Sequence, residues 1–250
     1  MRLVKTFSTA VKRASDSFFA LSHKFEQALN KVSPEKLTIG SLVSVFAVSA
    51  LAVQQGVPLP VVANINGGLA SLMIFARQAG LKDAEAMKKS NIIRSNALIV
   101  QYGLAEKMTG VFANATSVVL NYLFLKDFGQ RHKLKLSVAG AGVSTALSAP
   151  VIFNSVAQGF ESGPLLGVFN GAVQSLPLLG SYLGIYAIAQ NEGKKHRLAM
   201  GAGGALDLCY DLATQSWGAA VGRTSNVVGT AIGYLKHDRK PKSAPDMPAP

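Results

Sequence analysis

Forty consecutive residues, Leu37 to Ala76, contain no Asp, Glu, Lys or Arg. A soluble domain is roughly 25% charged, so a gap of this length does not fit a water-facing surface. A helix rising 1.5 Å per residue crosses the ~30 Å bilayer core in roughly 20 apolar residues. The gap is about twice that length, and Gly56-Val57-Pro58-Leu59-Pro60 breaks it in two. Thr109–Leu125, Ser137–Phe160 and Ser162–Asn191 are further charge-free stretches. The pattern predicts an all-α fold, a multi-pass transmembrane helix bundle of about eight spans. They fall near 38–56, 61–79, 91–106, 109–126, 136–158, 166–190, 198–215 and 217–235, with seven spans as the alternative if 38–56 does not fully cross. The third, seventh and eighth are weak by hydropathy alone, being short or carrying Arg94, Asp207, Asp211 and Arg223.

The basic residues support the same topology. Lys+Arg is 25 against 13 Asp+Glu, a net charge of +12. Segments 1–37, 77–94, 126–135, 191–197 and the chain beyond 235 hold 23 of the 25, the alternate segments hold only Lys107, and Arg223 lies within a span. Lys and Arg resist translocation and keep their loops cytoplasmic, so both termini are expected inside. The positive charge is a topology signal and requires no nucleic-acid partner.

Shifting the chain by 108 residues superposes 79–119 on 187–227 without gaps. Tyr102 then meets Tyr210, Thr116-Ser117 meets Thr224-Ser225, and further upstream Asn66 meets Gln174. Each half holds an even number of spans, which makes the two internal repeats parallel, a symmetry found in small-solute transporters with a site between halves. The expected organisation is an amphipathic interfacial helix over 1–36, a first membrane repeat over 37–132, a second over 133–239, and a disordered tail over 240–250.

A span with a breaker, a basic loop, and two spans joined by a tight turn recur over Gly67–Phe128 and Leu176–Arg239. In this the chain resembles the YgjV-like family of bacterial inner-membrane proteins and, more distantly, the SWEET and PQ-loop transporters. The resemblance implies location in the bacterial inner (cytoplasmic) membrane and assigns 137–158 as a linker helix. The sequence contains no Pro-Gln dipeptide; Pro177 stands at the breaker position of the second half and Gly67-Gly68 at that of the first.

Polar groups in a bilayer core usually face the bundle interior or a water-filled cavity. Amides can donate and accept at once, which suits a small polar solute such as a polyol or amino acid. Repeat-related positions favour Asn66 with Gln174 and Tyr102 with Tyr210 as substrate-binding candidates, and Asn114 and Asn226 join them. Hydrogen bonding between helices is the rival reading for each. Asp207 and Asp211 share one helical face, and Arg223 lies at a depth comparable with Asp211. An Asp211–Arg223 ion pair would leave Asp207 unpaired, free to couple transport to protons. The glycine runs at 140–142 and 201–204 lack a preceding strand and a P-loop ending, and read as packing surfaces. The four histidines fall in cytoplasmic segments, Cys209 is the one cysteine, and no catalytic or metal-binding set can be assembled within the membrane. No enzyme activity and no cofactor are expected.

Residues 1–32 carry a heptad-like stripe: Val4, Phe7, Val11, Ala14, Phe18, Leu21, Phe25, Ala28 and Val32. It reads as a helix lying on the lipid bilayer against anionic headgroups; a coiled coil with a partner is the alternative. Ser33-Pro34 then starts the next helix. Two functions remain open: alternating-access transport of a small polar solute, or a membrane scaffold without an aqueous path. Self-association into a homo-oligomer is compatible with either.

Overall fold

The computed structural model describes residues 2–104, 108–214 and 217–238; the tail expected to be disordered lies outside them. Regular structure among the described residues is entirely helical. In chain order it comprises α1 (Arg2–Lys31), α2 (Pro34–Gln54), α3 (Leu59–Phe75), α4 (Ala84–Leu104) and α5 (Met108–Phe124). The short α6 (Asp127–Arg131) leads to α7 (Lys133–Ser162), α8 (Pro164–Ile188), α9 (Gly193–Ala213) and α10 (Trp217–Gly233). Two π-helical turns, Ala76–Gly80 and Tyr234–Asp238, prolong α3 and α10. Each of the eight expected helices has a counterpart in a multi-pass bundle. By length and composition, α2, α3 with its π turn, and α7 suffice to cross a membrane.

Local sequence sets the boundaries. The Ser33 hydroxyl accepts from the Lys36 amide at 3.4 Å, with Pro34 in the first helical turn. Gly56, with φ of 82°, turns the chain from α2 into α3, and Gly163, with φ of 145°, separates α7 from α8. Both conformations suit a residue without Cβ.

The surface inverts that of a water-soluble protein. Ile39, Phe46, Leu72, Phe153 and Leu165 are exposed, whereas Arg77, Gln78, Asn91, Ser95, Asn96 and Arg197 are buried. Such an exterior belongs against lipid tails. Consecutive helices α3, α4 and α5 pack side by side, as do α8, α9 and α10; α2 lies against α4, and α7 against α8. Between these groups, α3 and its π turn meet α10, α4 meets α9, and α5 meets α7 and α8. Small residues allow the close approaches: a Cβ on Gly203 would stand 2.9 Å from the Gly180 carbonyl oxygen, and one on Gly159 2.7 Å from the Gly167 Cα.

The basic segments gather at one end of the bundle. Lys88 Nζ donates to Asn191 Oδ1 at 3.2 Å, and Asn191 Nδ2 donates to Gln130 Oε1 at 2.9 Å. Lys126 pairs with Glu35. Arg197, wholly buried, donates to the Gln78 carbonyl at 2.8 Å, to that of Leu81, and to Asp238. Helix α1 also docks here. Leu29 packs with Leu81, Ala86 and Met87, Phe18 meets Phe75 at 5.4 Å between ring centroids, and Glu26 Oε1 accepts from the amides of Lys82 and Asp83 at 2.9 and 2.6 Å. The face turned to the bundle is therefore Phe18, Ser22, Phe25 and Leu29, spaced four, three and four. It shares only Phe18 and Phe25 with the expected stripe, while Val11, Ala14, Leu21 and Ala28 remain exposed.

His196 sits in this end, fully buried. Its Nδ1 donates to the Ala187 carbonyl at 2.9 Å and its Nε2 has no hydrogen-bond partner. Burial first, and Arg77 second, push its pKa from 6.5 down to about 3. The unfolded chain then binds more protons than the folded one between those values, so stability falls as pH drops from 6.5 toward 3. Burial, then Arg197, lowers His237 in the same direction. Thermal unfolding of the detergent-solubilised protein is expected to show this acid-side decline, and His196→Gln to flatten most of it.

Candidate solute-binding cavity

A cavity of about 200 Å³ lies where the two groups of helices meet. The π turn after α3 supplies Arg77, α4 supplies Asn91 and Arg94, and α5 supplies Asn114, Thr116 and Ser117. Opposite them stand Ser144 of α7, Gly180 and Ser181 of α8, Asp207 of α9, and Arg223 and Asn226 of α10. Pockets for drug-sized ligands run from roughly 300 to 1,000 Å³, so this volume suits a small solute.

Four of the nine residues expected to form a site line the cavity: Asn114, Asn226, Asp207 and Arg223. Asn226 is fixed by two bonds, accepting from Gln78 Nε2 at 2.8 Å and donating to the Met200 carbonyl at 3.0 Å. Arg223 reaches both acids, with Nη1 3.0 Å from Asp207 Oδ2 and Nε 3.6 Å from Asp211 Oδ2. Asp207, expected to stand unpaired, thus holds the closer contact, and the Asp211 contact is too long for a hydrogen bond. The two carboxylates lie one turn apart on a single face, within reach of one guanidinium fork.

The repeat-related pairs lie elsewhere. Asn66 is buried between α2 and α3, donating to Ser49 Oγ at 3.0 Å and to the Val62 carbonyl at 3.1 Å. Gln174, Tyr102 and Tyr210 are half-buried and do not line the cavity.

Sequence reasoning missed Arg77, Asn91 and Ser117 and treated Arg94 only as a flaw in a span. Asn91 organises this wall: its Oδ1 accepts from Arg77 Nη1 and, at 3.4 Å, from Arg94 Nη1, while its Nδ2 donates to Ser117 Oγ at 3.2 Å. The Ser95 hydroxyl extends the network to Ser117 at 3.2 Å. Arg77 looked like the first residue of a basic loop, but the π turn keeps it in the bundle. A wider helical turn of this kind is often found at functional sites.

The multi-pass bundle and the lipid-compatible exterior describe a membrane protein. A family model described as bacterial inner membrane protein, Imp-YgjV, matches residues 61–241, nearly three quarters of the chain. The chain belongs to the YgjV-like family. It is therefore a membrane protein of the bacterial inner membrane, in contact with the lipid bilayer. The matched region contains every cavity-lining residue, from Arg77 to Asn226. No curated protein and no solved structure matches the chain.

Proposed function

We propose that this YgjV-like protein moves a small polar solute across the inner membrane by alternating access between two helical repeats. The observation that carries this reading is the polar cavity at the junction of the two helix groups. A charged or amide group in hydrocarbon is costly unless it is satisfied or serves a pathway, and this cavity collects several of them.

Helix boundaries support the repeats. Moved by 108, the start of α4 falls at 192 and the end of α5 at 232, each one residue from the start of α9 and the end of α10. The contacts between halves exchange under the same operation: α3 on α10 corresponds to α8 on α5, and α4 on α9 corresponds to itself. Rocking one half against the other would expose the cavity alternately to each side. In this topology all eight helices α2–α5 and α7–α10 cross the membrane, and both termini and the basic end are cytoplasmic. The exposed Lys12, Arg13 and Lys24 of α1 face anionic headgroups there.

The test is uptake into liposomes containing the purified protein, using a panel of labelled polyols, amino acids and small carboxylates, with and without an imposed proton gradient. Protein-dependent uptake of any member supports transport. A scaffold role is the second reading, favoured by Asn66, whose amide is satisfied by Ser49 as in a structural contact. Absence of uptake across the panel, together with a cavity closed to water, would establish the scaffold.

A further inference from the structure

We infer that the cavity binds a small oxyanion, a carboxylate or phosphate group, gripped by Arg77 and Arg94. The inference rests on the solute-binding reading above and names the chemical class of the solute. Two guanidinium groups converge here on one neutral acceptor, the Asn91 amide oxygen. Arginine stays charged in proteins, and a buried charge is ordinarily paired with an opposite one. Neither Arg77 nor Arg94 has a carboxylate partner among the described residues, and each leaves Nε buried without a hydrogen-bond acceptor. Arg77 is 1% exposed, so bulk water does not compensate it.

The acids beside this cavity are already engaged. Asp207 and Asp211 both lie against Arg223. Toward the basic end, Lys89 pairs with Glu85 at 2.7 Å and Lys88 meets the neutral Asn191. The cavity lining therefore carries three guanidinium groups against the single carboxylate of Asp207. This excess of positive charge, in a space of about 200 Å³, favours a compact anion over a polyol or a cation. Guanidinium forks recognise carboxylate and phosphate through paired charge-assisted hydrogen bonds, and the free Nε–H donors of Arg77 and Arg94 are suited to that. Asn91 would hold the two forks in place between binding events by occupying one donor of each.

The experiment is thermal unfolding of the full chain in phosphatidylcholine nanodiscs at constant ionic strength. Sodium phosphate, sodium acetate and sodium succinate are compared with sodium chloride, glycerol and choline chloride. The expected result is concentration-dependent stabilisation by at least one oxyanion and by neither glycerol nor choline. Arg77 is wholly buried and its removal threatens folding, so half-buried Arg94→Gln carries the test. This variant is expected to weaken the oxyanion response at least tenfold while Arg94→Lys retains part of it. An equal response in wild type and Arg94→Gln, or stabilisation by glycerol or choline alone, overturns the inference. Phosphatidylglycerol discs distinguish the source. Loss of the phosphate response there identifies a lipid headgroup as occupant of the same oxyanion site, and an unchanged response identifies a soluble anion. Oxyanion binding without liposome uptake would sink the transport reading and leave the site standing. Polyol uptake without oxyanion binding would do the reverse.

Discussion

Arg223→Ala is expected to destabilise the bundle by roughly 2 kcal/mol, between the scales for an exposed and a fully buried ion pair. The guanidinium is the shared counterion of Asp207 at 3.0 Å and Asp211 at 3.6 Å, with Asp211 buried and Asp207 and Arg223 partly exposed at the cavity. Removing it leaves two carboxylates one helical turn apart with mutual repulsion and no cation between them. The cost is therefore expected to depend on those acids. In an Asp207→Asn, Asp211→Asn background the same Arg223→Ala change should cost less than about 1 kcal/mol, the net worth of an ordinary hydrogen bond. Unfolding midpoints of the four proteins form a double-mutant cycle. Additive losses would show that Arg223 contributes by packing and that the ion pairs do not matter.

Gly233→Ala is expected to be comparably damaging, although it adds one methyl group to a helix. A Cβ at position 233 would fall onto the Gln78 carbonyl oxygen and 2.6 Å from Arg197 Nε. Neither neighbour can yield freely. The carbonyl belongs to the π turn, and Arg197 spends its donors on Gln78, Leu81 and Asp238, tying α3, α9 and α10 together. Overpacking costs roughly 1–3 kcal/mol, and a clash with backbone belongs at the top of that range. Gly142 in α7 is the control, since nothing lies within 4 Å of its added Cβ. Gly142→Ala should be neutral or slightly stabilising, alanine being the better helix former. Equal behaviour of the two variants in thermal unfolding would contradict the close packing of α10 on the π turn.

Much of the helical framework was legible because two signals are independent of tertiary detail. Charge-free stretches mark lengths of chain suited to hydrocarbon, and Lys and Arg mark the segments between them. The expected 198–215 and 217–235 matched α9 and α10 despite weak hydropathy because basic-loop alternation required two elements there. The cavity was less legible. Asn114, Asn226, Asp207 and Arg223 were found because a polar residue in an apolar run stands out. Arg77 and Asn91 stood beside Lys82, Lys88 and Lys89 in a segment whose polarity had a sufficient explanation as a loop. What separates them is the π turn over Ala76–Gly80, which holds Arg77 in the bundle, and no local residue pattern announces it. Repeat symmetry also misled in one respect. Asn66 and Gln174 correspond in sequence, yet Asn66 bonds to Ser49 of α2, and the preceding helices are placed differently, α2 mainly on α4 and α7 on α8. The face of α1 differed for a related reason. Its apolar stripe is broad enough to serve two surfaces; the contact with Leu81 and Met87 selected Phe25 and Leu29, and that with Phe75 selected Phe18.

Thiol accessibility of the cavity wall tests the central claim most directly. Ser144→Cys and Ser181→Cys, made separately in a Cys209→Ser background, place a small reactive group on α7 and α8 at the cavity. A membrane-impermeant thiol reagent would be applied to vesicles of both orientations. The account predicts labelling of both positions, from at least one side, with protection by a bound oxyanion. Silence at both positions from both sides, in folded protein, would contradict it and leave a packed membrane scaffold.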